Sequence, residues 1–365
     1  MSDRARVLWL SRCIGLGGVE RLLVAMASRI DHDRFDVHVA FVTAADETFS
    51  EELRALGVTV HDLHGRGWPL RVWALVRRGR FDVVHSHSPL PGVFARLTRK
   101  RHLLVHTEHN RWSAYQAVTR ALNRATIRRN DRVYAVSGQV LDSMDRPARG
   151  FAPTVMYQGF DDAAVVAVDD RTRAVGREAL GLAGSDTVIG TVGNLRWTKN
   201  HAGLLRSVVR LRELDPSRTL RVVIIGEGPL RDDLQAQVRE LGLSEEVALL
   251  GSRRDVPTLL PAFDVYVISS TEEGLPLALL EALDTGLPVV TTDAGGIGEV
   301  VTDDVAELVP VDDDDALASA VDRLLSDPQR RAVLQAAGPR RAREFSVGAA
   351  VTALETLYAS AGRAV

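Results

Sequence analysis

Two carboxylates and two cations offer the densest chemistry in this chain of 365 residues. Glu273 and Glu281 bracket the stretch Glu273-Gly274-Leu275-Pro276-Leu277-Ala278-Leu279-Leu280-Glu281, and the apolar strand Val265-Tyr266-Val267-Ile268 runs into it through Ser269. Proline near the first helical position starts a helix without losing a needed N–H. Glu273 is therefore expected on the loop before the helix and Glu281 about two turns inside it. Between them lie unpaired backbone N–H groups at a helix N-terminus, a natural anion site. Carboxylates on either side of an anion site suit a ligand with hydroxyls at one end and phosphates at the other, as a nucleotide sugar has. Two solvated surface glutamates would be the plainer reading. Leu277, Leu279, Leu280 and Leu283 instead predict a largely buried helix.

The cations are Arg196 and Lys199, just past a strand ending in Gly193-Asn194. Two cations at a strand end can neutralise a leaving diphosphate whose negative charge grows as its bond to sugar breaks, and such stabilisation is usually the largest catalytic contribution. Solvated charges before a helix are the alternative. Lys199 is one of only two lysines among 45 basic residues, the other being Lys100. A lysine kept in so arginine-rich a chain suggests a compact point charge where a guanidinium fork would not fit.

Other clusters are weaker. His85, His87, His106 and His109 tempt a zinc reading, but they belong to two separate strands and no cysteine assists. Asp312 to Asp315 imitate a metal-holding aspartate pair, yet they precede a helix, where aspartates are favoured for capping and dipole reasons. Gly15-Leu16-Gly17-Gly18-Val19-Glu20 follows the first strand. A dinucleotide fingerprint would want glycine at Glu20 and an acidic residue ending the second strand, which ends in Val42-Thr43-Ala44, so a nicotinamide cofactor is excluded. Gly17 and Gly18 still let backbone N–H groups approach a phosphate or sugar, unless they serve only a tight turn.

The elements that must position these residues are short apolar runs alternating with helical pattern, which predicts parallel sheets covered on both faces. In the first half the runs are Arg6–Leu10, Phe35–Val42, Val58–Leu63, Phe81–His87, Leu103–His109, Arg132–Ser137 and Thr154–Tyr157. In the second they are Thr187–Asn194, Leu220–Gly226, Val247–Gly251, Val265–Ser269, Pro288–Thr292 and Glu307–Val309. A helix is predicted over Trp112 to Asn130, carrying a basic stripe at Arg120, Arg124 and Arg128. The length argues for two domains, with an acidic linker near residues 160–180. Two doubly wound units would hold a ligand in a cleft facing their carboxyl strand ends.

Hydrophobic content of 45% and charged content of 25% are those of a globular protein. There is no run of about 18 apolar residues, so no membrane span is predicted. The chain enters its first strand without a cleavable signal pattern. Cys13 stands alone, which excludes an intrachain disulfide and a thiolate metal cluster. A cytoplasmic protein is expected. Residues 1–160 hold 24 basic and 15 acidic residues, a balance of +9, and the remainder holds 21 and 33, a balance of −12. The basic half would favour an anionic acceptor or the anionic inner face of a membrane, with solvated faces as the bland alternative.

Taken in order, these motifs resemble the retaining glycosyltransferases of the family-four type, the group 1 glycosyl transferases with the GT-B fold. The resemblance spans nearly the whole chain and rests on Gly17-Gly18-Val19-Glu20, Phe81 to His87, and Val105-His106-Thr107-Glu108-His109. Further along it rests on Asn194-Leu195-Arg196-Trp197-Thr198-Lys199-Asn200, the Glu273–Glu281 segment, and Gly295-Gly296-Ile297-Gly298-Glu299. It implies an α/β fold of two doubly wound Rossmann-like domains facing across a cleft. Residues 1–160 would be the acceptor side and 161–345 the nucleotide-sugar side, with 346–365 returning as a helix to the first domain. It implies transfer of a sugar from a UDP- or GDP-sugar to an acceptor hydroxyl with retention, in polysaccharide, glycolipid or natural-product glycoside synthesis, without metal or other cofactor and without nucleic acid. The resemblance makes Arg196, Lys199, Glu273 and His109 the catalytic set. It makes Gly17, Gly18, Gly226, Glu227, Arg254, Gly274, Leu275, Glu281 and Glu299 the donor-binding set, with Glu281 at the ribose and Glu273 at the transferred sugar. Tyr157-Gln158-Gly159 departs from the family's usual Pro-Asn-Gly, which leaves the contacts there open. The rival readings are a nucleotide-sugar epimerase of related fold, which would need no acceptor, and a non-catalytic sugar-nucleotide binder.

Overall fold

In a computed structural model, residues 4–12, 18–43, 47–98, 102–144 and 152–361 are described, apart from the side chains of Gly18, Glu47 and Thr48. Gly15, Leu16, Gly17, Cys13 and Lys100 lie outside them. The chain divides into two compact units, one of residues 1–160 with 346–365 and one of residues 161–345.

The first unit is built on a parallel sheet of β1 (Ala5–Ser11), β2 (Phe35–Phe41), β3 (Thr59–Asp62), β4 (Val83–Ser86), β5 (Leu103–Glu108), β6 (Arg132–Ala135) and β7 (Thr154–Val155). Its order among the described residues is β3-β2-β1-β4-β5-β6-β7. Every residue of β4 is buried, as a central parallel strand covered on both faces requires. The helix Val347–Ala361 packs in this unit, where Tyr358 is fully buried and its hydroxyl accepts a hydrogen bond from Trp9 Nε1 at 3.2 Å. The same hydroxyl bonds His85 Nδ1 at 2.6 Å, and His85 Nε2 bonds Thr107 Oγ1 at 2.8 Å. Gln158, 1% exposed, donates to Thr107 Oγ1 at 3.0 Å.

The second unit is built on β8 (Thr187–Val192), β9 (Leu220–Ile225), β10 (Val247–Gly251), β11 (Val265–Ile268), β12 (Val289–Thr292) and β13 (Glu307–Val309). These are ordered β10-β9-β8-β11-β12-β13, again parallel. Val222, Ile224, Val265 and Val290 meet Leu204, Leu205 and Val208 of the helix His201–Leu214 in its core. Each such side chain contributes about 1.5–3 kcal/mol by leaving water. In both sheets the order reverses between the first and fourth strands, at β1/β4 and β8/β11. Loops at the carboxyl ends beside that reversal are where doubly wound sheets hold ligands.

One expected element is broken. The stretch from Trp112 to Asn130 is not one helix but a 3₁₀ turn Trp112–Ala114, an α-helix Ala117–Thr126 and a second 3₁₀ turn Ile127–Arg129. Tyr115 and Gln116 between the first two have extended backbone, with ψ of 144° and 145°. The cause is Glu108, fully buried at the end of β5. Trp112 Nε1 donates to it at 2.9 Å, Asn123 Nδ2 donates at 3.1 Å, and the Tyr115 hydroxyl also donates to it. Drawing the indole and the phenol onto one inner carboxylate outweighs the regular helical path.

Candidate active site

The loops after β8 and β11 meet because those strands are neighbours, with Tyr266 opposite Gly190. Thr271 N donates to Thr198 O at 2.8 Å and Ser269 Oγ to Lys199 O at 2.9 Å, so the two loops are joined along their backbones. Lys199 ends the 3₁₀ turn Trp197–Lys199, and Asn200 follows with φ 45° and ψ 42°. Asparagine tolerates this left-handed geometry, and its side chain accepts from Gly203 N at 3.1 Å as the cap of the next helix. The reversal aims the lysine inward. Lys199 Nζ lies 2.5 Å from Glu273 Oε1.

Glu273 also receives a hydrogen bond from Ser270 Oγ at 2.6 Å, and its side chain is 8% exposed against 26% for Lys199. The loop before the helix Ile297–Val300 closes on it, with Gly296 N donating to Glu273 O at 3.1 Å. Gly295 sits at φ 61°, where an added Cβ would come within 1.9 Å of Glu273 O, so only glycine lets this loop approach. Glu299 lies in that short helix, half-buried. Ser270 was missed by sequence reading, although the spacing Ser270-Thr271-Glu272-Glu273 is that of a hydroxyl donating to a carboxylate three residues on.

The helix after Glu273 is Leu277–Thr285, with Pro276 at its N-cap and no side-chain cap. Leu279 N donates to Pro276 O at 3.1 Å, which leaves the N–H groups of Leu277 and Ala278 at the helix start to face a ligand. Glu281 is its fifth residue, little more than one turn inside rather than two, because Pro276 keeps an extended ψ of 110° and the helix opens only at Leu277. Leu279, Leu280 and Leu283 are fully buried as expected, and Leu277 is half-buried. Beneath the two carboxylates lies Tyr266. Burial, then the charges of Glu281 and Glu273, push its hydroxyl pKa up, against the lowering effect of the Val192 backbone. The structure thus pairs Lys199 with Glu273 at the carboxyl ends of the central strands β8 and β11, with the charges of Glu273 and Glu281 both felt at Tyr266 and with Gly274 and Leu275 half-buried.

The remaining residues of the second unit lie on neighbouring strand ends. Gly226, at φ 155°, passes so close to Gly193 O that an added Cβ would stand 1.9 Å away. Leu195 N donates to Glu227 O at 3.1 Å, and Gly226 N to Gly251 O at 2.9 Å, which ties the loops after β8, β9 and β10 together. The Glu227 carboxylate pairs with Arg231 at 3.1 Å. Arg254 and Arg196 are exposed. The four aspartates are occupied: Asp313 caps the helix Asp314–Ser326 by accepting from Ala316 N at 2.8 Å, and Asp314 pairs with Arg206 at 2.5 Å. Asp315 pairs with Arg210 at 3.3 Å, and Asp312 accepts from Asn200 Nδ2 at 3.3 Å.

In the first unit, His109 follows β5 and His87 follows β4, and His109 Nε2 lies 3.2 Å from His87 Nδ1. Burial holds the His109 pKa down to about 4, against the raising effect of the Glu108 charge. Burial also pushes the His87 pKa well below the ordinary imidazole range, so both rings are neutral, each carries one N–H, and one of these protons fills the contact between them. His85, His87 and His106 are buried, consistent with structural places. Burial raises the pKa of Glu108, but donation from His106, Tyr115 and Trp112 outweighs it and holds the carboxyl below the usual range. Gly18 opens the helix Gly18–Arg29 after β1.

Sheets of this order, with an uncapped helix N-terminus and a lysine–glutamate pair at the reversal, define an α/β protein of two doubly wound units with ligand-binding strand ends. Residues 16–184 match Glycosyltransferase Family 4, and residues 173–341 match Glycosyl transferases group 1. The lipopolysaccharide core biosynthesis mannosyltransferase LpsB of Rhizobium meliloti is 29% identical over 307 residues, which cover 80% of each chain. The D-inositol 3-phosphate glycosyltransferase of Corynebacterium aurimucosum is 31% identical over 306 residues, 77% of this chain and 72% of that relative. The Anabaena protein HepE, solved in complex with UDP and glucose, has the same fold with a TM-score of 0.85 at 22% identity, over 98% of this chain and 100% of its own. The chain belongs to the family-four, group 1 glycosyltransferases and is a nucleotide-sugar-dependent enzyme of that retaining family. Among the described residues, no helix is long and apolar enough to cross a membrane.

Proposed function

We propose that the second unit binds a UDP- or GDP-hexose and that the first unit presents the acceptor hydroxyl. The observation that carries this reading is the Lys199–Glu273 pair, 2.5 Å apart beside the uncapped N-terminus of helix Leu277–Thr285. The diphosphate docks on those N–H groups, with Lys199 and Arg196 as counter-charges. Gly274 and Leu275 lie along it, and the hydroxyls of the transferred hexose bond Glu273. The ribose hydroxyls donate to Glu281, while Gly226, Glu227, Arg254 and Glu299 form the surrounding rim. As the sugar C1–O bond breaks, charge accumulates on the diphosphate, where fixed cations stabilise it most. The acceptor oxygen forms the new bond to C1 on the same face, and its proton passes to the departing phosphate oxygen. His109, neutral and joined to His87, orients hydroxyls by hydrogen bonding rather than by charge. Gly17 and Gly18 belong to the same proposed set.

A saccharide-bearing, anionic acceptor at a membrane surface fits the first unit. Arg120, Arg124 and Arg128 are all exposed, and beside them Val118 is 71% and Leu122 39% exposed. A short helix showing both arginines and apolar side chains outward has the composition of an interfacial helix. The lipopolysaccharide relative supports a lipid-linked acceptor and the inositol phosphate relative a soluble anionic one. On either reading the protein works in the cytoplasm, the first at the inner membrane face.

A panel of UDP- and GDP-hexoses tests the donor assignment through the melting temperature. One of them at a hundredfold excess over its Kd stabilises the fold by about 2.7 kcal/mol, and a sugar is transferred only when an acceptor is added. Stabilisation by none of them overturns the donor assignment. Conversion to a free sugar without acceptor would make the protein an epimerase instead.

A further inference from the structure

Beside Lys199 stands a buried imidazole that the reading above does not use. His201 is the first residue of the helix His201–Leu214 and is 3% exposed. Neither of its ring nitrogens completes a hydrogen bond, although the backbone of Asn194 and Gly193 lies near enough to favour the charged form. Burial, and then the charge of Lys199, push its pKa down to about 4, so at neutral pH the ring carries one N–H donor and one acceptor nitrogen. Polar atoms buried in this way are nearly always paired, with ordered water where protein atoms do not reach.

The geometry supplies the place for such a water. A cavity of about 20 Å³ lies between the ring, Gly193, Lys199, Ser270 and Glu273. A water needs roughly 10–15 Å³ and two to four polar partners. The ring, the Ser270 hydroxyl and the Lys199–Glu273 pair provide them. A Cβ added to Gly193 would stand 3.6 Å from Lys199 Cδ and 3.8 Å from His201 Nε2, so the lysine stem and this nitrogen converge on the open side of that glycine.

We propose that His201 is a positioning residue for Lys199, anchoring one water that bridges its Nε2 to the Lys199–Glu273 pair and fixes the ammonium toward the leaving diphosphate. This rests on the assignment of Lys199 as the cation that meets the diphosphate. The water adds a hydrogen bond to the ammonium beside the ion pair with Glu273 and brings no charge of its own, so it orients the cation without offsetting it further. Its effect belongs to the transition state more than to donor binding.

Three substitutions test this with the hexose donor found in the melting panel. His201→Phe fills the space without hydrogen bonding, and His201→Gln keeps an amide near the Nε2 position. Gly193→Ala places a methyl at ordinary contact distance and occupies the site of the water while leaving the histidine intact. His201→Phe and Gly193→Ala are each expected to lower kcat about tenfold with donor KM within about twofold, and His201→Gln to recover most of the loss. In a Lys199→Ala background, itself slower by about 10² to 10³, neither change should slow turnover further, as expected for groups acting through one residue. Losses of equal size in both backgrounds overturn the role of His201 while leaving the donor site intact. Near wild-type turnover of Lys199→Ala alone would instead remove the assignment on which it rests. Should His201→Phe fail to fold, Gly193→Ala carries the same test.

Discussion

Glu273 stands on the loop before Pro276 and Glu281 on the helix after it, and the two are held differently. Glu273 is held by Lys199 and Ser270 before any ligand arrives, whereas Glu281 rides on the helix with its backbone carbonyl accepting from Thr285 Oγ1 at 2.7 Å. Substituting them should therefore separate two parts of the donor. Glu281→Ala is expected to weaken UDP or GDP by roughly 1.5–3 kcal/mol, the worth of a charged hydrogen bond. Glu273→Ala should leave the bare diphosphate unchanged or slightly tighter, because Lys199 is released toward it, while the nucleotide sugar loses a similar amount. Calorimetry with UDP, GDP and their hexose conjugates reads both. Equal loss of the bare diphosphate in the two variants would contradict this division.

At the scale of an element, the helix Ala117–Thr126 shows how one carboxylate shapes a surface. Glu108 gathers Trp112, Tyr115 and Asn123 inward, and the helix that remains turns Arg120, Arg124, Val118 and Leu122 outward. Each arginine near an anionic bilayer adds about 1 kcal/mol, decaying within a Debye length. The protein is accordingly expected to sediment with anionic vesicles, to ignore neutral ones and to be released by salt. Reversing Arg120, Arg124 and Arg128 to glutamate should abolish that sedimentation and leave the melting shift with the donor unchanged. Indifference to both vesicle types would favour the soluble anionic acceptor.

The whole molecule carries a pH liability in its buried imidazoles. His109 and His201 have folded pKa values pushed down to about 4 from the ordinary 6.5, chiefly by burial, and His85, His87 and His106 are lowered as well. Above pH 6.5 these rings are neutral in both folded and unfolded chains and cost nothing. As pH falls below 6.5 the unfolded chain takes up protons that the folded one refuses, so stability drains away between pH 6.5 and 4. The loss is on the order of 3 kcal/mol for each fully depressed ring. Glu108, with its pKa held low, adds to the loss as pH falls further. Melting temperature followed from pH 8 to pH 4 should stay level down to about 6.5 and then fall steeply. A level profile down to pH 5 would mean that the rings are wetter than their burial implies.

Local pattern alone determined the class of fold. Apolar runs of strand length alternating with helical stretches are a property of neighbouring residues, and each expected strand lies within a few residues of an observed one, from Ala5–Ser11 to Glu307–Val309. The proline, the flanking carboxylates and the strand-end cations were legible for the same reason, since each needs only its own loop or helix. What the sequence could not decide was which loops meet. Lys199 and Glu273 are 74 residues apart and touch only because β8 pairs with β11, which lies beyond β9 and β10 in the chain. Tertiary packing likewise buried the ring of His201, two residues beyond Lys199, and closed a small cavity beside it, which no local periodicity encodes. The broken helix after Trp112 has the same origin. A buried carboxylate seeking donors can override helical periodicity, and its burial exists only once the sheet and the helices around it are assembled.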